Sequence, residues 1–301
     1  MNDKEDEDAA PAQSDALPLG SLSQSAAAFP SPPGNLIRLG LCSHTQMDTS
    51  IDIAAYLDRL QVTQTPSADL RFLRELHRQH VFHVPFENLD IHLGRTISLA
   101  PAELFEKIVR KRRGGYCFEL NGLFQLLLEA LGFRVYSTVA GVLFGTETIP
   151  PRSHRLLIVT LDGENWVVDV GFGAFGLIEP IPLTAGIEHR QFVDRFRLEA
   201  DPMLGFVFQT YQDGDWLNQY AFVTDLHHPI DFVFANYYHS HSPQSIFTQK
   251  RICQLPTPEG RKRLEDRTLS QTINGVTHKV AFESEQAFMQ ILKTHFDLDL
   301  L

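Results

Sequence analysis

The most regular hydrophobic pattern of the chain follows two consecutive glycines at positions 114 and 115. Apolar residues then recur at i, i+3, i+4, i+7 and i+11, as Leu120, Leu123, Phe124, Leu127 and Leu131. This spacing predicts an amphipathic helix with a buried face, and Gly132 is expected to end it. Because the two glycines interrupt the preceding chain, Cys117 is predicted to lie in the first turn of this helix.

Weaker apolar repeats predict three helices ahead of this one. The first runs from Ile51 to about Leu60, and the second is expected to follow an N-cap at Ser67 and to continue through Leu76. The third is predicted to start at Pro101, a residue suited to the first turn, and to end at the basic cluster 111–113.

After Gly132 the pattern alternates and is rich in β-branched and aromatic residues. Five segments show it: Val135 to Leu143, Arg155 to Leu161, Trp166 to Val170, Phe206 to Tyr211 and Tyr220 to Val223. Asp-Gly turns at 162–163 and 213–214 predict an antiparallel sheet or small barrel. The last part of the chain adds a strand pair around Asn274-Gly275 and a helix from about Ser284 to His295.

The first 46 residues lack such a period. They are acidic at the start and then rich in Ala, Ser and Pro, a composition that cannot bury enough apolar surface to fold, so a disordered tail is predicted. The chain as a whole has 301 residues, of which 43% are hydrophobic. This is enough to build a large buried core.

Charge and cysteine content narrow the function classes. A net charge of −11 argues against a surface for nucleic acid or an anionic membrane, because both need a basic patch. No apolar stretch is long enough to span a bilayer, and the acidic N-terminus does not resemble a secretory signal. The cysteines Cys42, Cys117 and Cys253 are far apart and odd in number, so neither a disulfide framework nor a metal site is predicted. We therefore expect a cytoplasmic protein that binds small molecules or other proteins.

Cys117 is the first candidate for chemistry. Unpaired N–H groups and the positive end of the dipole at a helix N-terminus favour the thiolate, which is the nucleophilic form of cysteine. The alternative is a small apolar residue that fills the helix end, and this stretch alone favours neither. A cysteine nucleophile also needs a base to accept its proton and a third group to hold that base.

His154 and Asp169 are the candidates for those two groups. His154 begins a predicted strand that turns at 162–163 into the strand carrying Asp169. With a two-residue turn the two residues are diagonal neighbours on one face, with backbones roughly 7 to 8 Å apart, a distance that an imidazole and a carboxylate can bridge. An unpaired carboxylate among apolar residues costs on the order of several kcal/mol, so Asp169 is expected to have a partner. Backbone amides could be that partner instead of His154.

A loop at 83–90 lies between the second and third predicted helices. Its Glu87 would need a cationic partner if buried, and Arg113 is the natural candidate. Such a pair would connect the loop to the segment that carries Cys117. His83 is expected to be structural, because nothing nearby in the sequence pairs with it.

Several motifs occur in a fixed order along the chain. They are Val84-Pro85-Phe86-Glu87-Asn88-Leu89-Asp90, Arg113-Gly114-Gly115-Tyr116-Cys117-Phe118-Glu119-Leu120-Asn121, Ser153-His154, Val168-Asp169-Val170-Gly171-Phe172-Gly173, Asp231-Phe232, Ala235-Asn236-Tyr237-Tyr238, and Ser242-Pro243 through Phe247-Thr248. Through them the chain from about Ile51 to its C-terminus resembles the arylamine N-acetyltransferases. The cysteine motif is specific to that family, whereas the acidic tail lies outside the resemblance.

The resemblance implies an α+β fold with a papain-like cysteine-triad architecture. After the disordered tail predicted at 1–46 from composition, its parts would be a helical bundle at 47–134, a β-barrel-like domain at 135–240 and an α/β lid at 241–301. The bundle would carry Cys117, and the barrel-like domain would carry His154 and Asp169. No long insertion separates the barrel from the lid, as in bacterial members, so coenzyme A is expected in an open cleft.

The resemblance also implies a catalytic triad of Cys117, His154 and Asp169 that acts by a ping-pong mechanism. The Cys117 thiolate would take the acetyl group from acetyl coenzyme A and pass it to the nitrogen of an arylamine or hydrazine. His154 would accept a proton from Cys117 and later from the attacking amine, while Asp169 fixes the tautomer of His154. No metal is implied.

Further site residues follow from the resemblance alone. Ser153, Gly171 and Gly173 match positions that approach the cofactor in the family, and Glu87 and Arg113 match its structural ion pair. The acceptor pocket would be lined by Phe86, Val142, Phe172 and Phe247. Apolar walls of this kind suit a flat aromatic amine.

Three other functions remain open. An amide synthase of the same fold could close a macrolactam, and thiol hydrolases or transglutaminases use Cys, His and Asp in the same chain order. The papain-type Cys-Gly-Ser-Cys-Trp signature is absent, which argues against a protease. A noncatalytic binder on this scaffold is the third alternative, and the presence of all three triad residues argues against it.

Overall fold

The computed structural model describes residues 51–144, 146 and 148–300. The predicted tail at 1–46 therefore lies outside the described residues. Helices dominate the described chain up to residue 130: α1 spans Ile53–Arg59, α2 Leu70–His83, α3 Leu89–His92, α4 Pro101–Phe105 and α5 Cys117–Ala130.

The start of α2 differs from the prediction. Asp69, not Ser67, is its N-cap, and its Oδ1 accepts a hydrogen bond from the Phe72 N–H at 2.8 Å. A carboxylate next to the first turn is an effective acceptor there, and it also complements the helix dipole. The Ser67 hydroxyl donates to Asp69 instead.

The third predicted helix is also not a single α-helix. After α4 the chain continues as a π-helical turn, Glu106–Arg110, before the basic cluster. The wider turn coincides with two buried contacts of Lys107, to Asp90 and to Glu119. No spacing of apolar residues could indicate this change of helix type.

Helix α5 has the predicted form. Leu120, Leu123, Phe124 and Leu127 are fully buried, and Gly132 adopts a φ of 87° just after the helix ends. At the start of α5, the Glu119 Oε2 accepts a hydrogen bond from the Tyr116 N–H at 3.1 Å. The prediction of a buried amphipathic helix with Cys117 in its first turn is therefore confirmed.

The middle of the chain is a barrel-like antiparallel sheet. Its strands are β2 Arg134–Val142, β3 Arg152–Leu161, β4 Glu164–Val168, β5 Ile181–Pro182, β6 Glu188–Gln191, β7 Asp194–Asp201, β8 Gly205–Gln212 and β9 Asp215–Phe222. They are ordered β5-β4-β3-β2-β9-β8-β7-β6. The Gln191 side chain on the last strand donates to the Glu179 carbonyl oxygen at 2.8 Å, which joins the two ends of the sheet.

The β3–β4 hairpin has the predicted two-residue turn. Asp162 and Gly163 both have positive φ, and Leu161 pairs with Glu164. The strand predicted at Trp166 to Val170 is too long, however, because the ladder ends where Leu157 faces Val168. The hydrophobic pattern could not predict strand β6, because Glu188–Gln191 contains no apolar residue.

A second sheet is formed mainly by the C-terminal part of the chain. A short strand β1, Phe86–Glu87, is followed in the sheet by β10 Ile252–Thr257, β11 Gly260–Glu265, β12 Thr268–Ile273 and β13 Val276–Ala281. Helix α8, Glu285–Phe296, buries Phe288 and Leu292 against Leu264 and Leu269 of this sheet. The β12–β13 turn lies at Asn274-Gly275, as predicted.

Two further helices connect the sheets along the chain. A 3-10 turn, Pro229–Asp231, leads into α6, Phe232–His241, and the short helix α7 spans Ile246–Gln249. The larger hydrophobic core runs from the helices into the barrel-like sheet, and a smaller one lies under α8. Strand β1 pairs with β10 and so joins the helical part to the C-terminal sheet.

Candidate active site

Cys117 lies at the first position of α5 and is only 4% exposed. Its sulfur is a free thiol. Helix N-termini present unpaired N–H groups and a partial positive charge, which together favour an anionic sulfur. The site therefore places a thiol where the fold supports its ionised form.

His154 and Asp169 form a buried pair beside this thiol. The His154 Nε2 lies 2.7 Å from the Asp169 Oδ2, and both side chains are almost fully buried. Burial alone would lower the pKa of His154, but the charge and hydrogen bond of Asp169, with a hydrogen bond to Cys117, raise that pKa to about 10. Because Asp169 occupies Nε2, Nδ1 is the nitrogen left for the sulfur.

Asp169 is held by several groups besides His154. Its Oδ1 accepts hydrogen bonds from the Asn121 Nδ2 and the Gly171 N–H, each at 2.9 Å. Burial alone would raise the pKa of Asp169, but His154 and these donors lower it. The Tyr220 hydroxyl lies near the same carboxylate, but it has no hydrogen-bond partner among the described residues. The carboxylate is thus kept ionised and aimed at the imidazole.

Asn121 positions Asp169 at the point where the β3–β4 ladder ends. Its Nδ2 also donates to the Arg155 carbonyl oxygen at 2.6 Å, and its Oδ1 accepts from the Val170 N–H at 3.0 Å. The amide side chain thereby takes the place of ladder hydrogen bonds beyond Val168. Asn121 is one helical turn after Cys117, so the same face of the helix carries both the thiol and the amide that holds Asp169.

Gly171 packs directly against the start of α5. A Cβ at this position would lie 2.6 Å from the Asn121 Nδ2 and 2.9 Å from the Cys117 Cα. Only glycine lets the loop after Asp169 approach the thiol this closely. The family resemblance suggested that Gly171 lies close to the cofactor. In the structure, Gly171 is the point at which the loop after Asp169 contacts the helix.

The backbone of Asp169 is held from the other side by His77. The Asp169 N–H donates to the His77 Nε2 at 3.1 Å, and the His77 Nδ1 lies 2.9 Å from the Ile178 carbonyl oxygen. Complete burial lowers the pKa of His77 to about 4. A neutral ring with its proton on Nδ1 satisfies both contacts.

Glu87 and Arg113 meet in a buried ionic network below α5. Arg113 donates to the Glu87 Oε1 through Nε at 3.0 Å and through Nη2 at 2.7 Å, and Glu87 is 0% exposed. The Arg113 Nη2 also lies 3.1 Å from the Asp90 Oδ1. Lys107 links Asp90 to Glu119, which in turn accepts from the Tyr116 N–H. The network therefore joins the loop at 83–90 to the first turn of α5.

Arg155, the neighbour of His154, extends under the same helix. Its Nε donates to the Ser137 Oγ at 2.8 Å and its Nη2 to the Gln125 Oε1 at 2.9 Å. Burial lowers the pKa of Arg155 to about 10, although its interaction with Cys117 opposes that shift. No carboxylate lies within ion-pair distance of this guanidinium in the described part of the chain. Its charge adds to the positive potential beside the sulfur.

Ser153 directly precedes His154, and Gly173 lies in the loop after Asp169. Ser153 is the extra residue of a β-bulge, because Ala140 pairs with His154 whereas Gly141 pairs with Arg152. Its carbonyl oxygen lies 3.0 Å from the His239 Nε2. Gly173 has a φ of 80°, and a Cβ there would lie 2.5 Å from the Gln254 Oε1.

Aromatic rings pack against the His154–Asp169 pair. The Phe172 ring centroid is 5.0 Å from that of His154, and Tyr220 is 5.1 Å from it. Phe86 and Phe247 lie 6.0 Å apart. Val142 pairs with Tyr220 across β2 and β9, so their side chains share a face.

The space between these rings is small. A cavity of about 10 Å³ lies between Phe86, Phe172 and Asp169. That volume is about the size of one water molecule.

Several residues of the site were not proposed from the sequence. Asn121 lies within the cysteine motif, and its i+4 spacing from Cys117 is a usable signal. Tyr220 and His77 carry no such signal, because long-range contacts alone bring them to Asp169. His239, on α6, is likewise placed by tertiary packing, with its ring 5.1 Å from Phe247.

Metal-binding clusters and membrane-spanning helices are both absent from the described part of the chain. No group of three or more His, Cys, Asp or Glu side chains is arranged to hold a metal ion there. No helix in residues 51–144, 146 and 148–300 is long and apolar enough to cross a bilayer.

Comparisons with known proteins agree with the geometry. A family model described as N-acetyltransferase matches residues 69–301. The arylamine N-acetyltransferase / N-hydroxyarylamine O-acetyltransferase of Salmonella typhimurium is 37% identical over 209 residues, covering 69% of this chain and 74% of its own. The arylamine N-acetyltransferase of Mycobacterium bovis is 34% identical over 257 residues, covering 83% and 90%.

A solved structure shows the same fold with a ligand. The arylamine N-acetyltransferase of Mycobacterium marinum in complex with CoA has a TM-score of 0.77 and 31% identity, covering 82% of this chain and 92% of its own. The family match extends over most of the chain, and the relatives match it over most of their own lengths. This chain therefore belongs to the N-acetyltransferase family that contains the arylamine N-acetyltransferases, and it is an acetyltransferase.

Proposed function

We propose that this protein transfers an acetyl group from acetyl coenzyme A to the nitrogen of an arylamine or hydrazine, through an acetyl-Cys117 intermediate. The observation that supports it most directly is the buried His154–Asp169 pair beside a free thiol at a helix N-terminus. Family membership supplies the acetyl group as the unit transferred.

In the first half-reaction Cys117 would be the nucleophile. Its proton passes to the His154 Nδ1, and the sulfur attacks the thioester carbonyl carbon. The bond to the sulfur of coenzyme A then breaks, and the departing thiolate takes the proton from His154, which leaves the ring neutral for the second half-reaction. The imidazolium is stabilised by Asp169, in line with the pKa of His154 raised to about 10. Exchange of one thioester for another is nearly neutral in energy, so the acetyl group remains transferable.

In the second half-reaction the acceptor nitrogen would attack the acetyl carbon on Cys117. His154 takes the proton that the nitrogen loses, and the Cys117 thiolate leaves. Phe86, Val142, Phe172 and Phe247 are the proposed walls of the acceptor site. An aromatic amine of low basicity fits these walls because it is neutral near pH 7 and can attack directly.

The proposal is favoured over hydrolysis by the environment of the sulfur. Cys117 is 4% exposed, and the rings of Phe172 and Tyr220 pack against His154, so the surroundings of the sulfur limit the access of water. The curated relatives are named as arylamine N-acetyltransferases, which favours a small amine over a macrolactam precursor. A reducing compartment such as the cytoplasm suits a mechanism that needs Cys117 as a free thiol.

The test is steady-state turnover of acetyl coenzyme A with p-anisidine or a hydrazide as acceptor. Cys117→Ser should lose activity by about a thousandfold or more with an unchanged circular dichroism spectrum. Cys253→Ala is the matched control, because Cys253 is buried in the core under α8, and it should retain turnover. Double-reciprocal plots should be parallel. Full turnover by Cys117→Ser, or intersecting plots, would contradict the proposal.

A further inference from the structure

Helix α6 carries apolar side chains on both of its faces. One face packs on the protein: Phe232 is buried, and the Asn236 Nδ2 donates to the Ile97 carbonyl oxygen at 3.1 Å. On the same side, the His239 Nε2 lies 3.0 Å from the Ser153 carbonyl oxygen. A helix that is apolar all round is ordinarily buried on all sides. In the described part of the chain, however, α6 is covered on this one face only.

The outer face of α6 consists of five large exposed side chains. Four of them follow the helical spacing i, i+3, i+4 and i+7 from the 3-10 turn onwards, as Ile230, Val233, Phe234 and Tyr237. Tyr238, one helical turn after Phe234, is the fifth. Phe234 is 87% exposed, Ile230 71% and Tyr237 65%. The outer face is therefore a continuous apolar stripe in contact with solvent.

The area of the outer face is large for a monomer. Its three aromatic side chains present about 200 Å² each when fully exposed, so at their observed exposures they contribute roughly 400 Å². The two aliphatic side chains bring the total to roughly 600 Å², which is the upper end for apolar patches on monomers. A stable interface buries about 600 to 1,000 Å² on each partner. The outer face alone thus reaches the lower limit for a stable dimer.

The charge of this segment favours contact with a second copy of the chain. The net charge of −11 means that two copies repel each other on average. Between positions 226 and 249, however, Asp231 is the only Asp, Glu, Lys or Arg. The cores of interfaces between proteins are likewise depleted in charge and enriched in Tyr and Phe. Two copies can therefore meet at the outer face without bringing many like charges together.

Other occupants of the outer face fit less well. A helix that lies on a membrane surface carries Lys and Arg beside its apolar face, and positions 226–249 contain neither. A strongly charged peptide would find no opposite charge there. A neutral patch is self-complementary, as an isologous contact about a two-fold axis requires, and such dimers are the commonest soluble oligomers.

The inner face of α6 connects the outer face to the reacting groups. The Phe232 ring centroid lies 5.9 Å from that of Phe118, and the Tyr116 hydroxyl donates to the Asn236 side-chain oxygen. Tyr116 and Phe118 are the two neighbours of Cys117 in the chain. A contact that orders α6 from outside would therefore also hold the residues on either side of Cys117.

We propose that this protein forms a two-fold symmetric homodimer in which the outer faces of the two α6 helices pack against each other. Phe234 is the main contact residue, because it lies in the middle of the stripe and is its most exposed ring. The Tyr237 ring is oriented by His241, which stacks on it at 4.3 Å. The inference goes beyond the proposed reaction and does not depend on it.

The test is the mass of the full-length protein in solution, measured by sedimentation velocity across the micromolar range. The wild-type protein should have twice the chain mass of 34.1 kDa and should dissociate on dilution. Phe234→Glu should raise the dissociation constant of the dimer by about a hundredfold, because central aromatic residues dominate interface energies. Since this side chain is 87% exposed in the single chain, the variant should keep the wild-type circular dichroism spectrum.

Met203→Glu is the matched control. Met203 is 79% exposed in the turn between β7 and β8, so this variant also replaces an exposed apolar side chain by a charge, and it should dimerise like the wild-type protein. As a second readout, the Tm should rise with protein concentration for the wild-type protein and for Met203→Glu, but not for Phe234→Glu. A wild-type protein that stays monomeric throughout, or a dimer that Phe234→Glu leaves intact, would overturn the inference.

Discussion

Asp169 is the residue on which the charge of the site depends. One of its oxygens accepts from the Asn121 side chain and the Gly171 N–H, and the other faces the His154 Nε2. Because Asp169 Oδ2 accepts the hydrogen bond from His154 Nε2, the proton of the neutral ring lies on Nε2. Nδ1 of the neutral ring is then left as an acceptor for the proton of Cys117.

Asp169→Asn should reverse that arrangement. The new amide oxygen would keep the bonds from Asn121 and Gly171, so its NH2 would face the His154 Nε2 and force the proton onto Nδ1. Such a ring cannot accept a proton from the thiol, and activity should fall about a thousandfold. The rate of Cys117 alkylation by iodoacetamide near pH 7, followed by mass, should fall as well. An unchanged alkylation rate would mean that Asp169 does not govern the sulfur.

Gly171→Ala tests the close approach of the loop to the helix. The added methyl group would lie 2.6 Å from the Asn121 Nδ2 and 2.9 Å from the Cys117 Cα, so one of the two elements must shift. A displacement of about 1 Å at a reacting group costs on the order of a hundredfold in rate. We expect that loss in the rate of Cys117 acetylation with a folded protein. A variant with the wild-type rate would show that the contact is dispensable.

Hydrophobic and turn patterns predicted much of the site, but only its local part. The position of Cys117 followed from glycines and an apolar stripe, and the relation of His154 to Asp169 followed from a two-residue turn. The roles of Asn121 and Tyr220 did not follow, because they depend on which helix and strand meet at Asp169. Such contacts are determined by tertiary packing, which leaves no periodic trace in the sequence.

At the scale of elements, charged side chains connect helix α5, which carries Cys117, to the segments around it. Glu87, Asp90 and Glu119 alternate with Arg113 and Lys107 in one buried network. The network connects the loop ahead of α3, the π-helical turn and the first turn of α5. The position of Cys117 therefore depends on groups far from it in sequence.

Arg113→Gln should destabilise the protein strongly. It leaves Glu87, which is fully buried, without its cation, and breaking a buried pair in this way costs about 3 to 5 kcal/mol. Arg112→Gln is the matched control, because Arg112 is exposed and its pair with Asp297 is long, at 3.4 Å. It should change the free energy of unfolding by less than about 1 kcal/mol. Urea unfolding measures both. Equal effects would contradict the assignment of the network.

The elements that patterning missed have particular causes. Strand β6 lacks apolar residues and exists because it pairs with β7. The π-helical turn after α4 accompanies the contacts of Lys107, and α2 starts at an Asp69 cap that competes with Ser67. In each case a tertiary or capping interaction outweighs the local pattern.

At the scale of the whole molecule, buried histidines link folding to pH. Burial lowers the pKa of His77 to about 4, whereas an unfolded histidine has its pKa near 6.5. The unfolded chain therefore takes up a proton first as the pH falls. The contribution of His77 to the free energy of unfolding is therefore at its maximum above about pH 6.5. It falls by about 3 kcal/mol as the pH drops from 6.5 to 4.

His154 acts in the opposite direction. Its pKa is raised to about 10. The contribution of His154 to the free energy of unfolding is therefore at its maximum below pH 6.5 and is lost as the pH rises towards 10. Stability should thus decrease on both sides of neutrality.

Urea unfolding from pH 4.5 to 7 should show that the free energy of unfolding depends less steeply on pH for His77→Gln than for the wild-type protein. The control His278→Gln, on an exposed part of β13, should keep the wild-type slope. Identical slopes for all three proteins would contradict the role of His77.

The most direct measurement is the intact mass of the protein after brief exposure to acetyl coenzyme A without an acceptor, with peptide mapping of the adduct. The account predicts one added acetyl group, located on Cys117, that is lost when an arylamine is added and is not formed by Cys117→Ser. An unmodified Cys117, or an acetyl group on another residue that the arylamine then removes, would contradict the account.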